Sequence, residues 1–297
     1  FKQDENFAWF KDVSSTSLQQ SLRDLDKAFT NFFAGRARYP KFKNKSSRQS
    51  VRYTKSGFTF SDGILRIAKN KAPLDVRWSR KFVGDPISIT ISKDCAGRYH
   101  VSFAIEEPVN FLPKVKRNIG IDVGIKDICV TSEGFKSGAP KYTRKHEKRL
   151  ANRQRILSRK VKGSKNRAKA RRRAAKVHSK IADCRCDFNN KLTTKLIREN
   201  QAIAVESLNI KGMQNNKRLS KSIADASWGD FLRKLKYKAL WYGRELIEID
   251  KWFPSSKTCS CCGTVNKSLI LQDRKWQCSC CRESLDRDIN LSLIHIS

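Results

Sequence analysis

Two sets of residues in this 297-residue chain have the types and spacing to hold metal. Cys259-Ser260-Cys261-Cys262 is followed, fifteen residues on, by Cys278-Ser279-Cys280-Cys281, a C-x2-C-x15-C-x2-C pattern. Two turns that each offer a pair of thiolates can close a tetrahedral shell, and four protein sulfurs leave no open position, so the expected chemistry is structural Zn2+. Cys259, Cys262, Cys278 and Cys281 are taken as the ligands because x2 spacing lets both sulfurs of a turn reach one ion. Cys261 and Cys280 are then spares. The plainer use, reduced cysteines packed as small apolar groups, stays open beside it.

The second set is acidic. Asp122 lies in Gly120-Ile121-Asp122-Val123-Gly124, Glu206 ends Ala202-Ile203-Ala204-Val205-Glu206, and Asp288 lies in Asp286-Arg287-Asp288-Ile289-Asn290. Carboxylates brought together from separate segments can hold two Mg2+ or Mn2+ ions about 3.5–4 Å apart, the arrangement that handles phosphate oxygens. Singly, each residue has a plainer use: Asp122 can cap a turn, Glu206 can form a surface ion pair, and Asp288 can begin a helix. Asp250 and Asp286 compete for membership of the same cluster.

These side chains need elements to present them. Ile119, Ile121 and Val123 alternate, so a strand buries them on one face and turns Asp122 to the other, with Gly120 and Gly124 leaving room for a ligand. Ile128-Cys129-Val130 is its expected hairpin partner. Strands are also expected at 202–206 and 246–250, a helix from Trp228, Phe231, Leu232 and Leu235, and a polar loop over 211–221. Upstream, Leu18, Leu22, Leu25, Phe29 and Phe32 recur at helical spacing and predict an amphipathic helix with a packed face, ended by Gly35. Residues 57–107 change to period two, with turns at Ser61-Asp62-Gly63 and Ala96-Gly97, and predict a small antiparallel β unit. Pro108 and Pro113 mark a linker. The domains are therefore expected at 1–112 and 113–297, the second carrying a basic helical insertion at 141–192 and the cysteine ribbon at 255–283.

Charge names the partner class. Sixty-three Lys and Arg against 28 Asp and Glu give +35, which is hard to sustain without a polyanion, and nucleic acid is the first choice. Residues 141–180 hold 18 Lys or Arg and one acid, Glu147. Stripes at Leu150, Leu157 and Val161, then at Ala170, Ala174, Val177, Ile181, Cys184 and Phe188, predict a helical hairpin broken at Gly163-Ser164, with a narrow packed seam and cationic outer faces. Arg153, Arg159, Lys165, Arg167, Arg171, Arg172 and Arg173 are its expected nucleic-acid contacts. A second set, Arg36, Arg38, Lys41 and Lys43, interleaves with Tyr39 and Phe42, a composition suited to phosphates and stacked bases. A solvated basic loop pinned by Tyr39 and Phe42 is the alternative. No apolar run reaches the roughly 18 residues of a membrane span, and no secretory leader opens the chain. With the only methionine at Met213, the sequence reads as a fragment. Six cysteines crowded into 259–281 fit an intracellular metal protein better than a secreted disulfide scaffold.

The Gly-Ile-Asp-Val-Gly-Ile-Lys-Asp run at Asp122, Val-Glu-Ser-Leu-Asn-Ile at Glu206, Ser255-Ser256-Lys257-Thr258-Cys259, and Asp286-Arg287-Asp288-Ile289-Asn290 resemble the TnpB (OrfB) proteins of prokaryotic insertion sequences. Leu22 to Phe29 and the Gly163-Ser164-Lys165-Asn166 turn resemble the same family, so the likeness spans almost the whole chain. It implies an α/β fold: an RNase H-like (RuvC-like) nuclease core with an inserted basic helical hairpin and zinc ribbon, plus an N-terminal helical and antiparallel β region. By the same resemblance the chain is a transposase-annotated, RNA-guided DNA endonuclease related to type V CRISPR effectors. Asp122, Glu206 and Asp288 take the catalytic carboxylate positions, and the four cysteines the zinc positions. The partners implied are a DNA target and a guide RNA from the transposon end, in the prokaryotic cytoplasm with the nucleoid. Oligomeric state stays open. Two departures stand out: Arg282 follows Cys281 where the family has Gly, and Asn290 runs into Leu-Ser-Leu-Ile-His-Ile-Ser instead of a small-residue helix. The competing expectation is a non-catalytic zinc-ribbon binding protein from a decayed transposase. A transposase of the same fold that joins strands is a third.

Overall fold

The computed structural model describes residues 5–44, 49–80, 82–249, 257–266, 269, 273, 275–286, 290 and 293. It is a mixed α/β chain in two compact units, one of residues 1–108 with 160–176, the other of 109–159 with 177–297. No helix among the described residues is long and apolar enough to cross a membrane.

In the first unit, helix α1 (Ser15–Phe33) precedes strands β1 (Gln49–Thr54), β2 (Phe58–Ser61), β3 (Ile64–Ile67), β4 (Ser88–Lys93) and β5 (Tyr99–Ala104). β1, β4 and β5 form an antiparallel sheet in that order, and β2 and β3 a hairpin. The hairpin turn sets both Asp62 and Gly63 at positive φ, +52° and +78°, the twist that matches two tight strands. Phe58, Leu65 and Ile89 are buried beneath Phe60, Trp78 and Phe103. The α1 periodicity and its Gly35 terminus hold, with Gly35 at φ +68° and Arg36 N–H donating to the Asn31 carbonyl. The expected packed face holds only in part, with Leu18, Phe29 and Phe32 half-buried. Leu22 is 69 % exposed and Leu25 49 %, whereas Thr16, Ser17 and Gln20 are buried. The helix is seated by its first turn, where the Thr16 hydroxyl comes so close to Gly57 that a Cβ there would lie 2.3 Å away. Periodicity fixes which face is apolar; it does not supply a cover.

The second unit is built on β6 (Asn118–Asp122), β7 (Val130–Thr131), helix α2 (Tyr142–Ser158), the long α3 (Lys165–Glu199), β8 (Ala202–Glu206), α4 (Ile210–Gln214), α5 (Ser220–Ala226), α6 (Trp228–Tyr242), β9 (Glu245–Ile249), β10 (Lys275–Gln277) and β11 (Ser284–Asp286). α3 is continuous past residue 192, and its first turns, through Lys176, group with the other unit. Sheet order is β7-β6-β8-β9, with β6, β8 and β9 parallel and β7 antiparallel. Ile119, Ile121, Ile203 and Val205 point into a core shared with Leu192, Leu196 and Ile197 of α3 and Phe231, Leu235 and Ala239 of α6. The polar loop expected over 211–221 is instead mostly helical: Asn209 caps α4 by accepting from Gly212 N–H at 3.0 Å, a local signal that carries no apolar period.

Buried polar groups lock this packing. Arg244 donates to the carbonyls of Ile197 (3.0 Å) and Pro113 (3.0 Å) and to Gln201 Oε1 (2.8 Å). Gln201 in turn gives its N–H to the Arg117 carbonyl at 2.7 Å and accepts from Glu245 N–H at 3.0 Å, bridging the starts of β6 and β9. Lys238, on α6, reaches Asn190 O and the hydroxyls of Thr193 and Thr194 on α3. Gly243 ends α6 at φ +64°, with the Phe111 ring 2.8 Å from where a Cβ would sit, so both backbone and space call for glycine.

Candidate functional site

The register between β6 and β8 puts two of the expected carboxylates side by side. Ile119 pairs with Ile203 and Ile121 with Val205, all four facing the α3–α6 core. One residue further, Asp122 and Glu206 end their strands and, by alternation, face the opposite side. Adjacent strands lie about 4.8 Å apart, within reach of a shared divalent ion with oxygen ligands at 2.0–2.6 Å. Both side chains are half-buried. Burial raises the Glu206 carboxyl above its ordinary range, and no cation among the described residues offsets it. Burial, with the charges of Asp122 and Asp127, pushes the Cys129 thiol up to about 12. Cys129 is therefore a protonated packing group under the acidic cluster. The loop after Asp122 is held by Trp228 Nε1–H donating to Gly124 O (3.1 Å) and by Gly138 N–H donating to Asp127 Oδ1 (2.9 Å). Asp288 and Asp250 lie outside the described residues. Asp286 is placed at the end of β11, where its carboxylate lies 3.9 Å from Lys136 Nζ. An all-carboxylate donor set suits Mg2+ or Mn2+.

The cysteines converge. The sulfurs of Cys259, Cys262, Cys278 and Cys281 all lie within 4.8 Å of one another, with Cys259–Cys281 at 3.6 Å and Cys262–Cys278 at 3.5 Å. A tetrahedron with Zn–S bonds of about 2.3 Å has edges of about 3.8 Å, so the geometry fits one zinc ion. Cys261 and Cys280 are exposed and stand outside the cluster. The two turns repeat each other bond for bond. Cys259 N–H donates to Thr264 O and Cys278 N–H to Glu283 O, both at 2.9 Å; Gly263 N–H donates to Cys259 O at 2.9 Å and Arg282 N–H to Cys278 O at 3.0 Å. The Thr264 hydroxyl and backbone hold the Cys262 thiol down to about 6, and burial raises Cys259. Leu269, Trp276 and Leu285 supply a small apolar core beside the sulfurs.

A group the sequence reading did not assign is Asn290. Its side chain is 1 % exposed, accepts from Ser260 N–H at 2.8 Å and donates to the Thr258 carbonyl at 2.7 Å. Nothing in residue type or spacing marks it, because its partners are backbone groups about thirty residues away.

The expected nucleic-acid contacts are surface cations. Arg36, Arg38, Lys41, Lys43, Arg159, Lys165, Arg171, Arg172 and Arg173 are exposed, and Arg153 and Arg167 half-exposed. Phe42 is fully exposed among them, while Tyr39 packs edge-on to Phe29 and Phe32. Arg167 is partly committed, donating to Lys160 O at 2.7 Å, and Arg172 lies over the Gly97 turn. On α3 the seam holds, with Ala170, Ala174, Val177 and Ile181 buried. Val161 does not join it: it falls beyond the end of α2 and is 76 % exposed.

Comparison with known proteins follows the same outline. The profile of the IS605 OrfB family, described as "Probable transposase", matches residues 100–217, and that of the Cas12f1-like TNB domain matches 228–293. A Streptomyces pristinaespiralis protein is 47% identical over 293 residues, 98% of this chain and 73% of that protein. InsQ of Escherichia coli K12 is 31% identical over 95% of this chain and 74% of its own length. Both carry the name "Putative RNA-guided DNA endonuclease". Among solved structures, the cryo-EM structure of a Cas12f1–sgRNA–target DNA complex matches 93% of this chain and 69% of that one, with TM-score 0.58 at 14% identity, a likeness of fold.

Proposed function

The chain belongs to the TnpB (OrfB) family of IS605-type elements, and from that premise we propose that it is a transposon-encoded, RNA-guided DNA endonuclease that hydrolyses phosphodiester bonds at Asp122, Glu206 and Asp288. The observation that carries the site is the pairing of β6 and β8, which sets Asp122 and Glu206 next to each other on the sheet face away from the core. In this reading the second unit is an RNase H-like core, its basic helical hairpin an insertion and its cysteine turns a zinc ribbon.

Each residue has a defined task. Divalent metal, held by the carboxylates, would supply charge neutralisation at the phosphate and activation of the attacking water. Asp122 and Glu206 provide a rigid pair of oxygen donors, because each sits at the end of a strand whose preceding residues are locked in the core. Glu206, half-buried and raised by burial, gains from a cation there. The four cysteines hold zinc and fix the ribbon before Asp288. The exposed cations at 36–43 and 153–173 carry guide RNA and target DNA by phosphate contact.

The test is cleavage of a randomised-flank DNA library by protein purified with its locus RNA, in Mg2+, wild type beside Asp122→Ala. Cleavage by the wild type with a loss of about 10³-fold or more in the variant, and binding retained, is expected. Nucleic-acid binding with no Asp122-dependent cleavage would overturn the reading in favour of a non-catalytic binding protein. Joined products would indicate strand transfer.

A further inference from the structure

We propose that a cavity at the carboxyl end of the β6–β8 sheet is a nucleotide subsite, which takes one pyrimidine ring of the DNA strand being cut and holds that strand on the carboxylates. This rests on the reading above, in which Asp122 and Glu206 act on the scissile phosphate.

The cavity has a volume of about 170 Å3. An apolar cavity of about 150 Å3 takes one benzene ring, so this one has room for a single six-membered ring. Its walls are three segments of the second unit: the loop that follows β6, the approach to α2 with its first turns, and α5. Ile125, Ile128, Ala139, Pro140 and Ala226 give it an apolar floor. Asp122 ends β6 and Glu206 ends β8, and the two strands run parallel. The segments that leave those carboxylates therefore supply two of the three walls, at the end of the sheet where open parallel sheets bind ligands. Ile125 is three residues from Asp122, a span of at most roughly 11 Å, so the floor begins within that distance of the acidic pair.

Charge fixes α5 to α2 across the cavity. Asp225 accepts from Thr143 N–H at 3.0 Å, from the Thr143 hydroxyl at 2.8 Å and from Arg185 Nε at 3.0 Å, and Lys221 pairs with Glu147. Both acids of the lining are thus committed to protein partners. Lys141 and Arg144 stand exposed at the rim, and neither is within ion-pair distance of a carboxylate among the described residues. Lys141 is also held at φ +48°, a left-handed conformation unfavourable for any residue with a side chain and concentrated at binding sites. An apolar floor beneath two uncommitted cations matches a base with its phosphate. Inorganic phosphate would leave the floor unused, and an uncharged ring would leave the cations unused. The cations give charge-assisted bonds to a phosphate oxygen, and the floor fixes where along the strand that phosphate sits.

The experiment uses the full chain with its bound RNA. Iododeoxyuridine is placed at successive positions of both target strands, in complexes carrying Asp122→Ala so that the DNA stays intact, and photocrosslinks are mapped to peptides. A parallel arm places iodouridine in the guide RNA. Ala139→Leu fills the cavity without changing charge, and Lys141→Gln combined with Arg144→Gln strips the rim. A crosslink from one DNA position to residues 125–147 or 221–226, lost when Ala139→Leu is added, is expected. With Asp122 in place, both variants should cleave more slowly, by up to about 100-fold, while zinc content, melting temperature and target binding by the RNA complex stay at wild-type values. DNA crosslinks only elsewhere, or crosslinks at the cavity from RNA alone, overturn the proposal, as does wild-type cleavage by both variants. If Ala139→Leu does not fold, the rim variant decides. A wild type without Asp122-dependent cleavage sinks the nuclease reading and this subsite with it, whereas Asp122-dependent cleavage with no DNA crosslink at the cavity sinks the subsite alone.

Discussion

Arg282 occupies in the second cysteine turn the left-handed position that Gly263 occupies in the first, at φ +59° against +73°. Each residue follows the last cysteine of its turn, Cys262 or Cys281, and donates its N–H to the carbonyl of the first, Cys259 or Cys278. Left-handed backbone costs a side-chain-bearing residue about 1–2 kcal/mol, part of which glycine gives back through its freer unfolded chain. Arg282→Gly is therefore expected to stabilise the ribbon by about 0.5–1 kcal/mol. Thermal unfolding with zinc bound checks it, and a lower melting temperature would show that the Arg282 side chain does something the backbone argument misses.

Glu206 gives a prediction with opposite signs for stability and metal response. Its carboxyl is raised by burial, so folding without metal disfavours the charged form relative to the unfolded chain. The resulting penalty is full above the folded value, fades as pH falls through it and is gone below the ordinary 4.5. Glu206→Gln should then melt higher than wild type at neutral pH without added divalent metal, and at the same temperature as wild type in acid. Adding Mg2+ should raise the wild-type melting temperature and leave the variant unmoved. A variant that still gains stability from Mg2+ would remove Glu206 from the metal site.

The sulfur geometry separates ligands from spares. Cys278→Ser should lose zinc, because three thiolates and a hydroxyl bind it far less well, and the ribbon with its small core should unfold. Cys261→Ser and Cys280→Ser, at exposed positions, should each keep one zinc per chain. Metal analysis of the three purified variants decides this. Zinc lost from either exposed variant would redraw the site.

Phosphate contact by the basic helices is measurable through salt. Replacing Arg171, Arg172 and Arg173 by Ala should lower the slope of log affinity against log salt by up to about 3 on duplex, near 0.9 for each contact removed. Arg172, which also lies over the Gly97 turn, is the one whose loss should cost some stability. An unchanged slope would place the nucleic acid elsewhere, and a flat wild-type response would remove the polyanion argument.

What could be read from sequence was local. The cysteine turns were legible because two ligands three residues apart act through one turn. The Asp122 strand and the α6 helix were legible because their apolar periods are regular. β1 was missed since Ser50, Arg52 and Thr54 alternate with only two apolar residues, Val51 and Tyr53, in a run of cations. α4 and α5 were missed because a capping Asn209 starts the first of them, within a polar stretch. The adjacency of Asp122 and Glu206 depends on pairing strands that begin 84 residues apart, and no pattern within either strand states it. Asn290 is the extreme case: its role is written in backbone groups that any residue possesses.

Gln201 carries one more implication. It bridges the starts of β6 and β9 through its backbone and takes Arg244 on its side chain, immediately before β8 begins. Strand faces alternate, so adding or deleting one residue between this peg and Glu206 would turn the carboxylate into the core while leaving the composition of the chain almost untouched. After Glu206 the last strand bond is Ser207 N–H to Ile249 O, and fully buried core residues resume only at Ile223 of α5. Natural length variation among related chains should accordingly gather between residues 207 and 219 and be absent between 201 and 206, a pattern that sequence counting alone can detect.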